Sequence, residues 1–383
     1  MKSKQFIEQY ILNGISRHCA PSVSVGIFLK SGTKYEFSYG SHTYDPKSKK
    51  TENDDIYDLA SCTKIVATTP LIMKLYEENI LNLDQPIIEI LPDFKNIQCK
   101  DDTWKYKITT RHLLSHTSGL PASVPGDDFP HNSTLESRRK IIMNSTLEYE
   151  PGTQTIYSDL GFIFLYEICE NLINSNPNKI MQGKPEELEK FYFFDPLEMN
   201  DTCYNPLNLK DKSRFVPTEK SEDALPGEEF LCGVVHDEKA RHTGGIDGHA
   251  GLFSTVPDIL KYIELFLNKG KYKGKQILKA ETIEMFTKFA GIDSKSNRCL
   301  GFELSIISGG IYTSPLAYGH TGFTGTVINI DPEFGFGHVI LANAVNPDRK
   351  SKQENDFFKF RDDLGSLIYE QLGFTQKMHK KQE

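Results

Sequence analysis

The sequence contains no stretch of about 18 predominantly apolar residues, the length that a helix needs to cross a bilayer. Residues 1–12 form an amphipathic helical pattern without the apolar core or the small-residue cleavage site of a signal peptide. The seven cysteines are an odd number and include no C-x-x-C pair, which favours reduced thiols over a disulfide framework. These absences predict a soluble cytoplasmic protein without a membrane partner.

Positively charged residues are fewer than negatively charged ones. Lysine and arginine number 44 against 52 aspartates and glutamates, for a net charge of −8. No stripe of basic residues with interleaved aromatics occurs, so the sequence predicts no nucleic-acid partner. What is present is ordinary for a globular protein, with 38% hydrophobic and 25% charged residues.

Strand patterns occur near both ends of the chain, and helical patterns occupy most of the middle. The strand patterns are a hairpin at 21–40 and three runs at 301–307, 326–330 and 337–343. We therefore predict an α/β (α+β) fold in which one antiparallel sheet is built from both chain termini and flanked by helices. A large, mostly helical lobe is inserted into it.

The length of 383 residues exceeds that of most single compact domains, so the chain should divide into two lobes. The predicted sheet domain comprises residues 1–60 and 281–383. Residues 61–280 form the predicted helical insertion.

Ser61 and Lys64 form an S-x-x-K pattern that leads into an apolar helix pattern. Residues three apart share a helix face, so the Lys64 amine could accept the proton of the Ser61 hydroxyl. The pattern recurs at Ser31, in a hairpin turn, and at Ser137, in a charged helix pattern, so context favours Ser61. On the pattern alone, an N-cap serine with an exposed lysine explains the pair as well as catalysis does.

Two further segments follow in order: Tyr157-Ser158-Asp159 before an apolar helix pattern, and His320-Thr321-Gly322 at a glycine-rich strand start. Together with Ser61 to Lys64 they resemble the S-x-x-K, Y-x-N and K-T-G motifs of the serine β-lactamase-like superfamily. The resemblance covers nearly the whole chain and points to the branch of class C β-lactamases, low-molecular-mass penicillin-binding proteins and family VIII esterases. It implies a β-lactamase/transpeptidase-like fold with the active site at the junction of the two lobes.

The resemblance also implies roles for these residues. Ser61 would be the nucleophile, and Lys64 and Tyr157 would share the general-base and general-acid work, with either one taking the first proton. Lys64 must be partly neutral for this, and we expect burial at the lobe junction to lower its pKa. The oxyanion hole would be the backbone N–H groups of Ser61 and Phe323. The implied substrate-binding and oxyanion residues are Asp159, His320, Thr321, Gly322 and Phe323, and no cofactor or metal is expected.

Two residues depart from the family pattern. Asp159 stands where asparagine is usual, and an ionised carboxylate only accepts hydrogen bonds, so recognition of a substrate amide there is in doubt. His320 replaces the usual lysine, and a mostly neutral imidazole binds a substrate carboxylate more weakly than an ammonium does. Efficient penicillin turnover is therefore not expected, and ester or peptide chemistry is favoured.

Three histidines, His236, His242 and His249, lie together with several carboxylates in the segment 235–249. A metal site is one interpretation, but the spacing matches no compact zinc motif. We therefore interpret the segment as a loop wall of the pocket.

The predicted function is that of a serine hydrolase acting through an acyl-enzyme at Ser61 on a small ester or amide. One alternative is a cytosolic amidase, D-amino-acid peptidase or β-lactamase that recycles or degrades cell-wall-type peptides. Another is a non-catalytic family member that acts as a binding or scaffold protein. Selectivity is expected to depend on pocket loops such as Pro121 to Asn132, and the sequence makes no prediction about oligomeric state.

Overall fold

The computed structural model describes residues 1–124, 134, 136–137, 140–141, 145–175 and 182–375. Its centre is a six-stranded antiparallel sheet. In spatial order, the strands are Glu303–Leu304, Tyr318–Thr321, Val327–Asp331, Phe336–Ala342, Ser22–Leu29 and Lys34–Gly40.

The two ends of the chain meet in the middle of this sheet. The strand Ser22–Leu29 pairs antiparallel with Phe336–Ala342, in a register that runs from Val23 opposite Ala342 to Leu29 opposite Phe336. On its other side, Ser22–Leu29 forms the hairpin with Lys34–Gly40. The prediction of one antiparallel sheet assembled from both termini is confirmed.

The side chains of a strand alternate between the two faces of a sheet, so both faces of this sheet carry side chains that can pack. Helices cover both faces. On one face, a buried apolar cluster joins the sheet to the helices Lys4–Ser16 and Phe357–Leu372. On the other face lies the helix Val256–Leu267, which starts with Thr255 accepting a hydrogen bond from the Asp258 N–H. Both faces are therefore buried against helices.

The remaining elements surround the larger core cluster. Other α-helices within the described ranges are Thr69–Glu77, Thr110–Leu114, Asp159–Ser175, Pro185–Glu189, Glu238–His242, Ala280–Thr287 and Ser351–Glu354. A three-stranded sheet contains Tyr57–Asp58, Leu252–Ser254 and Cys203–Tyr204, and two further strand pairs are Gln98–Cys99 with Thr146–Leu147 and Lys271–Tyr272 with Lys275–Gln276. The domain boundaries at 61 and 280 stay a prediction.

The strand pattern at 301–307 yields only Glu303–Leu304, because Ser305 has a positive φ of 46° and Ile307–Gly309 forms a 3-10 turn. Of the predicted pocket loop Pro121 to Asn132, residues 125–132 lie outside the described part of the chain. None of the helices within the described ranges combines the length and apolarity of a membrane span.

Candidate active site

Ser61 lies just after a sharp backbone turn. Ala60 has a left-handed φ of 47°, and its N–H donates to the Asp58 carboxylate at 2.8 Å. Residues with a Cβ, alanine included, rarely adopt this conformation, so the backbone at Ala60 is strained. The 3-10 turn Ala60–Cys62 leads through Thr63 into the π-helix Lys64–Thr68 and the α-helix Thr69–Glu77. Ser61 therefore sits at the start of one continuous helical segment.

Lys64 is completely buried and reaches Ser61 as the S-x-x-K spacing predicts. Its Nζ donates to Ser61 Oγ at 3.2 Å, to the Asp159 carboxylate at 2.8 Å and to the His249 carbonyl oxygen at 3.1 Å. These three acceptors match the three donor hydrogens of an ammonium group.

The expectation that burial makes Lys64 neutral is wrong. Burial alone would lower the pKa of Lys64, but the Asp159 carboxylate and the Tyr157 hydroxyl overcome it, and the pKa is raised above its usual value. An asparagine in place of Asp159 would supply no such charge. The aspartate in place of the motif's asparagine therefore favours the charged form of Lys64.

Tyr157 lies over the same ammonium group. Lys64 Nζ is 4.9 Å from the centroid of the Tyr157 ring, and the His116 ring packs against the tyrosine with centroids 4.6 Å apart. Burial raises the pKa of Tyr157, although the charge of Lys64 acts in the opposite direction. His116 Nδ1 accepts the Ser158 N–H at 3.1 Å, and this contact fixes the backbone that carries Tyr157.

Asp159 is the first residue of the helix Asp159–Ser175, and its carboxylate faces two ammonium groups. It pairs with Lys64 at 2.8 Å and with Lys239 at 3.4 Å. Burial opposes the ionisation of Asp159, but nearby positive groups lower its pKa, and Lys64 has the largest effect among them. Asp159 is not among the residues that line the cavity described below, so its predicted contact with substrate stays a prediction.

The histidines of the segment 235–249 bind three different carboxylates. His249 Nε2 donates to Asp237 at 2.8 Å, His236 Nε2 is 2.8 Å from Glu219, and His242 Nε2 is 3.5 Å from Asp223. The three imidazoles therefore do not share one metal site.

One smaller group does have the spacing of metal ligands, namely Asp159, Asp237 and His249. Lys239 lies 3.4 Å from Asp159 and 3.7 Å from Asp237, so ammonium groups already balance these carboxylates. None of the residues 235–249 is among those that line the cavity at Ser61, and the interpretation of the segment as a pocket wall stays a prediction. The segment contacts Asp159 through Lys239 and Phe323 through His236.

The strand Tyr318–Thr321 ends with His320 and Thr321, and Gly322 and Phe323 follow it beside the Ser61 turn. A Cβ on Gly322 would lie 2.5 Å from the Leu59 carbonyl oxygen, so only glycine allows this close approach. Thr326 Oγ1 also donates to the Leu59 oxygen, at 3.1 Å. The strand end and the Ser61 turn are thereby held together.

His320 carries no fixed positive charge. Burial, assisted by the positive charges of Lys64 and Arg298, lowers its pKa to about 3. Its Nδ1 donates to the Thr321 carbonyl oxygen at 2.6 Å, and the buried Nε2 has no hydrogen-bond partner among the described residues. This geometry agrees with the neutral imidazole expected from the sequence.

A cavity of about 310 Å³ opens onto Ser61, Tyr157 and the segment His320 to Phe323. The rest of its lining was missed by the sequence analysis and consists of Arg298, Glu303, Lys352, Phe357, Phe358 and Arg361. Arg298 pairs with Glu303 at 3.1 Å and lies 5.4 Å from the Tyr157 ring centroid. No motif marks these residues, because they come from segments that only the fold brings to Ser61.

Comparisons with known proteins agree with this arrangement. Residues 7–358 match the model of the β-lactamase family. The chain is 33% identical over 361 residues (88% of this chain, 81% of the relative) to an Escherichia coli K12 protein whose name assigns it provisionally to the D-alanyl-D-alanine carboxypeptidases. It is 31% identical over 381 residues (92% and 83%) to the N-acetylmuramyl-L-alanine amidase of Bacillus subtilis.

Among solved structures, the β-lactamase/D-alanine carboxypeptidase of Yersinia pestis superposes with a TM-score of 0.70 at 18% identity, covering 96% of this chain and 98% of that chain. At this identity the likeness concerns the fold. The family match and the two sequence relatives go further, and they show that this chain belongs to the β-lactamase family of serine hydrolases.

Proposed function

We propose that Ser61 is the nucleophile of this hydrolase and forms an acyl-enzyme with a small ester or amide. The observation that carries the proposal is the 3.2 Å hydrogen bond from Lys64 Nζ to Ser61 Oγ, at the edge of a cavity that Ser61 itself lines. Serine becomes a useful nucleophile only when a neighbouring group can take its proton. Lys64 and Tyr157 are the two groups placed to do so.

The proposed reaction has two steps. Ser61 Oγ bonds to the substrate carbonyl carbon while its proton passes to the Lys64–Tyr157 pair, which then protonates the departing oxygen or nitrogen. Water next attacks the acyl-enzyme, releases the carboxylic acid and restores the Ser61 hydroxyl. The oxyanion formed in each step would be bound by the backbone N–H groups of Ser61 and Phe323.

The charge of Lys64 determines how much of the enzyme can react. A protonated Lys64 and a neutral Tyr157 phenol cannot accept a further proton, and the environment raises the pKa of both groups. The reactive form therefore lacks one proton from this pair and is scarce at neutral pH. Either residue can be the one that loses it.

A second candidate function is hydrolysis of an amide in cell-wall-type peptides, as an amidase, a D-amino-acid peptidase or a β-lactamase. The names of the Escherichia coli and Bacillus subtilis relatives favour it. A purely binding or scaffolding role has less support, because Ser61, Lys64 and Tyr157 are all present and adjacent.

We also keep the cytoplasmic location as a proposal, supported by seven unpaired cysteines and testable by cell fractionation.

A fluorophosphonate probe tests the nucleophile directly. We expect a single label on Ser61, identified by mass spectrometry of the modified peptide, because such probes react with activated serines. The control variant Ser61→Ala should lose the label. Labelling of another serine, or unchanged labelling of Ser61→Ala, would contradict the proposal.

A further inference from the structure

The backbone of Phe323 is held at its carbonyl group and free at its N–H group. The N–H is one of the two proposed donors of the oxyanion hole, and none of the hydrogen bonds within the described part of the chain uses it. The carbonyl oxygen of Phe323 accepts a hydrogen bond from Lys352 Nζ at 2.7 Å. Lys352 therefore anchors this residue while the N–H stays available to a substrate oxygen.

The side chain of Phe323 is held as well. Although the residue is 50% exposed, Lys352 Nζ lies 3.0 Å from the centroid of its ring. The His236 ring stacks on the same side chain, with centroids 5.5 Å apart and ring planes 25° apart. A cation over an aromatic ring and two stacked rings are both attractive arrangements. Two distant segments of the chain thus restrict one residue.

Lys352 is an unfavourable choice for this position on grounds of stability alone. It is 4% exposed and, within the described part of the chain, forms no ion pair. Burial of a charge without a counter-ion destabilises the folded state, and an apolar side chain of similar length, such as methionine, would avoid this. The two contacts with Phe323 account for the lysine, because both need the amine at the end of its side chain.

His236 is tied to the turn that carries Ser61. The backbone N–H of His236 donates to one oxygen of the buried Asp58 carboxylate at 2.7 Å. The other carboxylate oxygen accepts the N–H of Ala60, the residue before Ser61, at 2.8 Å. One carboxylate therefore joins the Ser61 turn to the residue that supports the Phe323 ring.

The imidazole of His236 is fixed at its other end. Its Nε2 is 2.8 Å from the Glu219 carboxylate, which also binds the Arg349 guanidinium at 2.6 Å. Arg349 lies three residues before Lys352, so the contacts around Phe323 form a closed group. His236 is not among the residues that line the cavity. Its side chain can influence a bound substrate through Phe323, the cavity residue that it contacts.

We infer that Lys352 and His236 are positioning residues of the oxyanion hole and act by holding Phe323. A donor that is already in place stabilises the oxyanion without rearranging when the charge develops. Without these two contacts, the half-exposed residue would turn, and its N–H would face the oxyanion for a smaller part of the time. This inference rests on the proposed function, because it concerns the same acyl transfer to Ser61.

A sulfur atom in place of the carbonyl oxygen of the substrate tests the inference. Sulfur accepts hydrogen bonds weakly and lies farther from the carbon, so a thionoester gains little from donors placed for an oxygen. The measured quantity is kcat/KM for p-nitrophenyl butyrate divided by kcat/KM for its thiono analogue. We expect a wild-type ratio of about a hundred or more, and a ratio roughly tenfold lower in Lys352→Met and in His236→Gln.

Conservative variants separate positioning from general damage. Lys352→Arg keeps a cationic donor and His236→Phe keeps a ring, so both should retain most of the wild-type ratio. Lys359→Met is the matched control, since the exposed Lys359 amine pairs with Asp363 on the helix Phe357–Leu372. It should leave the ratio unchanged. Because the ratio compares two substrates on one protein, a general loss of activity cancels.

A double variant identifies the residue through which His236 acts. Phe323→Ala removes the ring that His236 contacts, so adding His236→Gln should lower the ratio no further. Independent effects of the two substitutions would multiply instead. Fluorophosphonate labelling of Ser61 shows, in each variant, that the nucleophile is intact.

The outcomes separate the two proposals. An unchanged ratio in Lys352→Met or in His236→Gln, with Ser61 labelled, overturns the inference and leaves the proposed function standing. An equal fall in Lys359→Met, or independent effects of His236→Gln and Phe323→Ala, also overturns it. Absence of labelling and of hydrolysis in the wild type removes the proposed function, and the inference with it.

Discussion

Asp159 is the residue that most alters the expected chemistry. Its carboxylate is 2.8 Å from Lys64 Nζ, so the amine that should accept a proton is held as an ammonium group. Although burial opposes its ionisation, the positive charges of Lys64 and, to a lesser extent, of His249 and Lys239 keep the pKa of Asp159 below its usual value. A carboxylate in place of an amide at position 159 therefore favours the charged form of the lysine that contacts Ser61.

Replacement of Asp159 by asparagine should make the reactive form more abundant at low pH. Without the carboxylate, burial is the dominant influence and lowers the pKa of Lys64, so the acid limb of the kcat/KM profile should move to lower pH by about one unit or more. The measurement is the profile for p-nitrophenyl butyrate. Asp237→Asn is the matched control, because Asp237 pairs with Lys239 and not with Lys64, and it should shift the limb much less. An unshifted limb in Asp159→Asn would exclude this account of Lys64.

At the scale of elements, the site depends on how closely the helix Val256–Leu267 packs on the sheet. Gly26, in the strand Ser22–Leu29, faces this helix, and a Cβ at that position would lie 2.6 Å from Val256 Cγ1 and 3.0 Å from Leu260 Cδ2. The absent side chain lets the helix pack against the strand. The preceding strand Leu252–Ser254 pairs with Tyr57–Asp58, directly before the Ser61 turn.

Gly26→Ala should therefore destabilise the protein by about 1–3 kcal/mol, the usual cost of overpacking a core. Adding Val256→Ala should recover part of this loss, because it removes the methyl group that the new Cβ meets. Urea unfolding of both single variants and the double variant measures the coupling. Gly161→Ala is the control: its Cβ would make an ordinary 3.4 Å contact with Leu113, and alanine favours the helix, so stability should not fall. Equal effects of the two alanines would contradict the packing argument.

At the scale of the whole molecule, ion pairs within the segment 235–249, and one from it to Asp159, hold this segment beside the site. His249 Nε2 donates to Asp237, and Lys239 of the same segment pairs with Asp159. Burial alone would lower the pKa of His249, but Asp237 and Asp247 raise it to about 9. The imidazolium thus contributes stability that is fully present below the unfolded pKa of about 6.5 and is lost as the pH rises through about 9.

His249→Gln should lower the free energy of unfolding by on the order of 3 kcal/mol at about pH 6, because it removes the buried imidazolium that pairs with the Asp237 carboxylate. The difference from the wild type should shrink by about pH 10, where His249 is neutral in both the folded and the unfolded states. His338→Gln is the control, since burial lowers the pKa of His338 to about 3 and it stays neutral over this range. A wild-type difference for His249→Gln that is constant with pH would contradict an ionised His249.

The sequence alone predicted the antiparallel sheet from both termini and the grouping of Ser61, Lys64, Tyr157 and His320. Strand alternation and helix spacing are local properties, and three ordered motifs identify a family without any knowledge of contacts. Even the neutral state of His320 followed from its residue type.

Only the tertiary structure decided the charge state of Lys64, the place of the segment 235–249 and the identity of the cations that face Ser61. Each depends on which side chains from distant segments come within a few ångströms, and electrostatic interactions in a buried site change steeply over that distance. Asp159 and Lys239 lie 80 residues apart in the chain, and Lys352 and Arg361 lie about 300 residues beyond Ser61. Their effects on the site come from proximity in space, which no local pattern records.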